Sequence, residues 1–221
     1  MKTDRRLRSI VWLSFLCLSL VGWAGAADRE KPGKPSGPIA AQIGRDGPKP
    51  GMAAPDFKLQ TLDGKMLEGS KLWQEKPLVL ITGSYTCPVF RRQTNQMDSL
   101  AKDFGDKVHF LLLYTVEAHP KGDPSPYNGK EWITPANQKA GILLAQPTTM
   151  EARLKLAREC AASLKLKVPM VIDTLDNATW QAYGRAPNCA YLINKEGKIV
   201  AAQPWFDGGP LRKELEKLLG K

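Results

Sequence analysis

Cys87 has the surroundings of a reactive residue. It ends the polar turn Gly83-Ser84-Tyr85-Thr86-Cys87-Pro88, which follows the apolar run 78–82 and precedes helical periodicity to about residue 104. Such a run reads as a strand covered on both faces, and Pro88 suits the first turn of a helix, where no backbone donor is needed. The cysteine is therefore expected where a strand ends and a helix begins, at the carboxyl edge of the sheet, where open α/β folds place their sites. The free amides and dipole of a helix N-terminus favour thiolate over thiol. Ser84 and Thr86 add hydroxyl donors, and Arg91 and Arg92 lie about one turn further on. The expectation is a reactive thiolate; the plainer alternative is a buried structural cysteine.

A second cluster is Tyr114-Thr115-Val116-Glu117-Ala118-His119-Pro120, at the end of a second apolar run, 109–116. If that run is a strand parallel to the first, Glu117 and His119, one residue apart, point to one face of the same edge. A carboxylate beside an imidazole raises its basicity and fixes its tautomer, which suits it to move a proton. The alternative is a solvated loop ahead of Pro120. The chain holds two histidines, and the other, His109, opens the strand and reads as structural.

These residues need a scaffold, and the periodicity provides one. Alternation at Phe57, Leu59 and Thr61 before Asp63-Gly64 predicts a strand and hairpin. Residues 149–166 predict an amphipathic helix, with Met150, Leu154, Ala157, Ala161 and Leu164 on one side. Residues 169–173 read as a strand, 190–193 and 198–202 as a hairpin around Glu196-Gly197, and 211–219 as a closing helix. Strands alternating with helices predict an α/β fold. An insertion at 121–144, carrying Tyr127 and Trp132, either walls a substrate pocket or forms a surface loop.

The start of the chain reads as an address. Lys2, Arg5, Arg6 and Arg8 precede an apolar stretch from residue 10 to 23, and Ala24-Gly25-Ala26 offers the small residues of a cleavage site. The stretch is shorter than the 18 or so residues that span a bilayer, so 1–26 is expected to be a signal peptide and the protein exported, periplasmic or secreted, with an uncleaved anchor as the alternative. Residues 27–54, with five prolines among glycines and lysines, read as a flexible tether, and 55–221 as one domain. Cleavage would remove Cys17 and leave Cys87, Cys160 and Cys189. An odd count in an oxidising compartment leaves at least one thiol unpaired.

Composition bounds the function. With 43 % hydrophobic and 24 % charged residues the chain is ordinary globular material, not a disordered or polytopic membrane protein. Cleavage would take four of the 32 basic and one of the 22 acidic residues, lowering the net charge from +10 to +7. The basic residues are scattered among acids without an aromatic-interleaved stripe, so no nucleic-acid partner is expected. No metal, flavin or nucleotide motif appears, and no cofactor is expected.

The cysteine turn, with the A-P-D-F and L-D-G-K segments upstream, resembles the thioredoxin-like redoxins. It lacks two of their signatures: Phe90 stands where a dithiol oxidoreductase carries its second cysteine, and Leu80 where a peroxiredoxin carries proline. The chain is more similar to the iodothyronine deiodinase family. That resemblance rests on the cysteine turn, residues 114–120 with Glu117-Ala118-His119-Pro120, Met150-Glu151-Ala152-Arg153, Asp176-Asn177 and Ala182-Tyr183-Gly184. It implies a thioredoxin-like fold, a central mixed sheet flanked by helices. Cys87 would replace the usual catalytic selenocysteine. Ser84, Tyr114, Glu117 and His119 would form a hydrogen-bond relay around the chalcogen, with Arg153 a structural partner. In such folds a cis-proline often packs against the active cysteine, which makes Ala186-Pro187 the candidate bond and Cys189 a candidate resolving thiol; Cys160 reads as core.

The combined expectation is an exported oxidoreductase in which Cys87 thiolate attacks an electrophilic halogen, sulfur or oxygen atom of a small-molecule substrate. Ser84, Thr86, Tyr114, Glu117 and His119 serve it, Arg91, Arg153 and Pro187 shape the site, and a thiol reductant or thioredoxin-like partner protein restores it. A peroxiredoxin-like peroxidase or disulfide reductase, and a non-catalytic redoxin-like binding module, are the alternatives. The oligomeric state is open.

Overall fold

The structure, a computed structural model, describes residues 43–220. The signal-peptide reading and the 27–42 part of the tether lie outside the described residues.

Seven strands form one mixed sheet in the order β2-β1-β5-β4-β3-β6-β7. Its centre is β3 (Leu78–Gly83), parallel to β4 (His109–Tyr114), which is parallel to β5 (Met170–Ile172). The flanks are antiparallel: β1 (Lys58–Thr61) pairs with β5 and with β2 (Met66–Glu68), while β6 (Ala190–Ile193) pairs with β3 and with β7 (Ile199–Gln203). All six residues of β3 are buried, as a continuous apolar run requires. Parallel register sets Gly83 opposite Tyr114, so β3 and β4 release their chains at the same edge.

Helix α2 (Pro88–Phe104) covers β3 with Phe90, Thr94, Met97, Leu100 and Phe104, spaced three and four residues apart. Its first turn lies very close to the sheet: a Cβ at Gly83 would come within 2.5 Å of the Phe90 ring, so only glycine fits there. Helix α4 (Met150–Leu164) buries Arg153, Ala157 and Cys160, and α6 (Gly208–Leu218) buries Leu211 and Leu215.

Three short helices were not expected from periodicity: α1 (Gly69–Glu75), α3 (Pro135–Ala140) and α5 (Ala178–Ala182). Each has seven residues or fewer, too few to show a helical repeat. The tether reading also needs correcting at its end. Residues 43–54 run along β7 and the loop after α5: Gly44 N–H donates to the Gly184 carbonyl (3.0 Å), Gly51 N–H to Ile199 (2.8 Å) and Ala54 N–H to Gly197 (2.8 Å), and Ala53 bridges Lys198. Paired backbone at a sheet edge offsets the poor apolar content of the segment.

Candidate active site

Cys87 is the N-cap of α2. Its sulfur accepts the Phe90 N–H (3.4 Å), and its own N–H donates to the Ser84 carbonyl (3.1 Å). This is the expected strand-end, helix-start placement. The protonation state is not the expected one. Cys87 is 1 % exposed, and burial pushes its thiol up to about 11, against the opposing pull of the Phe90 and Val89 amides and the Arg91 charge. The resting sulfur is a thiol. Helix-start amides are local and weak; loss of hydration is large, and here it wins.

Thr86, the residue before Cys87, meets Glu117. Its N–H (2.8 Å) and its hydroxyl (2.6 Å) both donate to Glu117 Oε2, and Tyr114 Oη donates to Oε1. Glu117 is fully buried, and desolvation raises its pKa despite these donors. Gln146 fixes the backbone beneath it: Glu117 N–H donates to Gln146 Oε1 (3.1 Å) and Gln146 Nε2 to the Glu117 carbonyl (2.8 Å). Ser84 Oγ accepts the Ala118 N–H (3.2 Å). Thus Ser84, Thr86, Tyr114 and Glu117 lie together at this edge, but the Ser84 and Thr86 hydroxyls, expected as donors to the cysteine, are engaged by Ala118 N–H and by Glu117 instead.

His119 joins them through its backbone, not its ring. Its N–H donates to Thr86 Oγ1 (3.0 Å), while ring Nδ1 lies 3.1 Å from the Trp132 carbonyl. The expected pairing of Glu117 with the imidazole is therefore absent: the carboxylate is taken by Thr86 and Tyr114. A carbonyl can only accept, so this contact is a hydrogen bond when Nδ1 carries the proton, which leaves Nε2 with a free lone pair. The Trp132 ring stands edge-on to the imidazole, centroids 4.4 Å apart. Burial lowers the His119 pKa, opposite to the expected rise. A neutral imidazole with a bare Nε2 can accept a proton.

The insertion belongs to the site. Besides Trp132, it supplies Asn137, which is fully buried. Asn137 Nδ2 donates to the Thr86 carbonyl (2.8 Å), and its Oδ1 accepts Arg91 Nη2 (2.8 Å), whose Nη1 donates to the Tyr85 carbonyl (2.6 Å). Arg91 thus braces the turn, and its charge favours the Cys87 anion. Asn137 and Gln146 were not singled out from sequence. The signal for Asn137 was local: Thr134 caps α3, Pro135 follows, and left-handed Gly141 ends it.

The remaining expected residues lie further back. Arg153 is buried and donates from Nη1 to the carbonyls of Asp173 and Thr174, a structural tie between α4 and the end of β5. No cis peptide bond occurs among the described residues, so the Ala186–Pro187 bond is trans, contrary to expectation. The Ala186 carbonyl accepts from Thr82 Oγ1 (3.1 Å) and from the Trp180 indole (3.1 Å). Cys189 is fully buried, with its sulfur 3.2 Å from Thr82 Oγ1, and burial pushes its thiol up to about 12. Cys87, Cys160 and Cys189 are all free thiols. Among the described residues no group of His, Cys, Asp or Glu is arranged to hold a metal ion.

The family model described as iodothyronine deiodinase matches residues 42–218. Thyroxine 5-deiodinase of Gallus gallus is 31 % identical over 153 residues, covering 66 % of this chain and 53 % of that protein. Type I iodothyronine deiodinase of Xenopus laevis is 27 % identical over 154 residues, covering 68 % and 54 %. The chain therefore spans about half the length of the curated relatives it matches. Among solved structures, the thioredoxin domain of a thiol-disulfide oxidoreductase from Bacteroides vulgatus superposes with a TM-score of 0.54 at 16 % identity, covering 76 % of this chain and 96 % of that one. The fold is thioredoxin-like, as the resemblance implied.

Proposed function

The chain belongs to the iodothyronine deiodinase family, and from that premise we propose that it is a thiol-dependent oxidoreductase acting on a small electrophilic substrate through Cys87. The observation that carries this reading is the placement of Cys87 at the N-cap of α2, next to the hydrogen-bonded Thr86–Glu117–Tyr114 group. Because the resting sulfur is protonated, the first step is removal of its proton, and neutral His119 Nε2 is the acceptor. The thiolate then attacks the substrate's halogen, sulfur or oxygen atom. With an aryl halide, a sulfur–halogen bond forms as the carbon–halogen bond breaks, and carbon keeps the electron pair and takes the proton from His119. With a peroxide, sulfur gains an oxygen and the alcohol or water leaves. In either case Cys87 is oxidised by two electrons. A thiol displaces the halide or hydroxide to give a disulfide, and a second thiol, or a thioredoxin-like partner protein, reduces that disulfide. Glu117, bound to Thr86 and Tyr114, holds the turn in place.

Peptide mass spectrometry after exposure to an iodinated phenol, a peroxide or a small disulfide tests this, with released iodide measured in parallel. The expected result is oxidation confined to Cys87, with iodide release from the phenol; an unmodified Cys87 in all three refutes the proposal. The burial of Cys87 favours a second reading, a redoxin-like binding module with an unreactive thiol, and that same negative result would support it. The basic, apolar and small-residue pattern of residues 1–26 supports an exported protein.

A further inference from the structure

Asn137 is a fully buried amide from the insertion, and both polar atoms of its side chain are in use. It sits in the first turn of α3. The Thr134 hydroxyl caps that turn by accepting the Asn137 N–H (3.1 Å), Pro135 follows the cap, and the Asn137 carbonyl accepts from Ile142 N–H (3.0 Å). The backbone is thus held at both of its polar groups, and the side chain reaches the cysteine turn from a fixed base.

Its two partners bracket Cys87. Nδ2 donates to the Thr86 carbonyl (2.8 Å), one residue before the cysteine, and Oδ1 accepts from Nη2 of Arg91 (2.8 Å), four residues after it. Arg91 in turn donates from Nη1 to the Tyr85 carbonyl (2.6 Å) and from its N–H to the Cys87 carbonyl (3.2 Å). A carbonyl only accepts and a guanidinium only donates, so the side chain between them must offer one donor and one acceptor. Asparagine does; aspartate lacks the donor. Both acceptors that hold the half-buried Arg91 guanidinium are neutral, and among the described residues no carboxylate pairs with it. An acidic partner would cancel its field. Here the charge stays whole, one helical turn from Cys87.

We propose that Asn137 is a positioning residue that pins the Arg91 guanidinium beside Cys87 without neutralising it, so that the docked insertion sets the charge the sulfur meets. The inference rests on the reading of Cys87 as a nucleophile. A thiolate forming there meets a cation already in place, whereas an unpinned arginine turns out into water, where its charge is screened. The other titratable groups facing Cys87 are Glu117, from the segment after β4, whose charge opposes ionisation, and Tyr127, from the insertion. Arg91 also faces His119, which it helps to keep neutral.

Carbon-13 NMR of the full chain labelled at the cysteine Cβ reads the sulfur without any reagent, with the Cys87 signal assigned through Cys87→Ser. At pH 10.5 a thiol titrating at about 11 is about one-quarter thiolate. In Asn137→Ala that fraction should fall about threefold or more, the effect of moving one nearby cation away. Asn137→Asp keeps the shape and the bond to Arg91 but cancels the charge, and should lower the fraction at least as far. Arg91→Met should lower it likewise, and in that background Asn137→Ala should give no further fall, because its effect runs through Arg91. A packing role alone has the opposite sign: removing the brace lets water reach the sulfur and raises the thiolate fraction. A fraction that rises or stays level in Asn137→Ala or Asn137→Asp overturns the proposal, and where neither variant folds, a level fraction in Arg91→Met does so. If the fractions fall as expected but no electrophile oxidises Cys87, the positioning role stands and the proposed reaction falls; if substrate oxidises Cys87 and the fractions do not fall, the reverse holds.

Discussion

Thr86→Val tests the core of the site. The Thr86 hydroxyl makes two buried hydrogen bonds, donating to Glu117 Oε2 (2.6 Å) and accepting from His119 N–H (3.0 Å). Valine has nearly the same shape and makes neither. Loss of the bond to the carboxyl group costs about 1.5–3 kcal/mol, and leaving the His119 N–H buried without an acceptor costs about 1–3 kcal/mol. The expected total is about 2.5–6 kcal/mol. Thr86→Ser retains both bonds and loses one buried methyl, about 1 kcal/mol. Urea unfolding at pH 7 and 25 °C separates them: with a slope of about 2 kcal/mol per M, the valine midpoint should fall by about 1.2–3 M and the serine midpoint by about 0.5 M. A valine variant as stable as the serine one would show that the Thr86–Glu117–His119 bonds hold nothing together, and the site described above would lose its frame.

Cys87→Ser should fold normally and lose all substrate-dependent oxidation or halide release; retention of most activity would move the nucleophile elsewhere. At pH 7 a thiol at about 11 is ionised in about one molecule in ten thousand, so Cys87 alkylation should keep rising with pH to about 11, and a plateau by pH 8 would contradict the buried-thiol assignment. The stability counterpart has a definite sign: burial holds the folded thiol at about 11, above its ordinary 9.0, so this contribution is complete below pH 9 and lost between pH 9 and 11, about 2–3 kcal/mol measured as wild type minus Cys87→Ala. N-terminal sequencing of exported protein should find a start near Ala27, and an intact Met1 would favour an anchor.

What the sequence made legible was whatever depends on near neighbours along the chain. An apolar run followed by a polar turn and Cys87-Pro88 was enough to locate the β3–α2 junction, and Tyr114 to His119 were placed beside it because β4 leaves the sheet next to β3. The protonation state of Cys87 was not legible, because dipole and arginine are local whereas hydration is removed by residues from the whole chain. The partner of the His119 ring was not legible either: the Trp132 carbonyl reaches it from an irregular insertion, and Glu117 was already claimed by a threonine 31 residues earlier. Pro187 shows the limit of analogy, since the loop expected to hold a cis bond holds a trans one.

The burial of Cys87, 1 % exposed, also governs which reagents its sulfur meets. A reagent can collide with it only in a conformer that has opened, so the observed rate is an intrinsic rate multiplied by the open fraction. A peroxide of two heavy atoms has too little surface to hold the open conformer and must accept whatever fraction exists. A larger ligand that binds the open conformer, and not the closed one, draws the population toward it in proportion to its concentration over its Kd. Tight closure over a sulfur atom therefore ranks substrates by fit before it ranks them by electrophilicity, and keeps the thiol dark to oxidants that carry no recognition surface of their own.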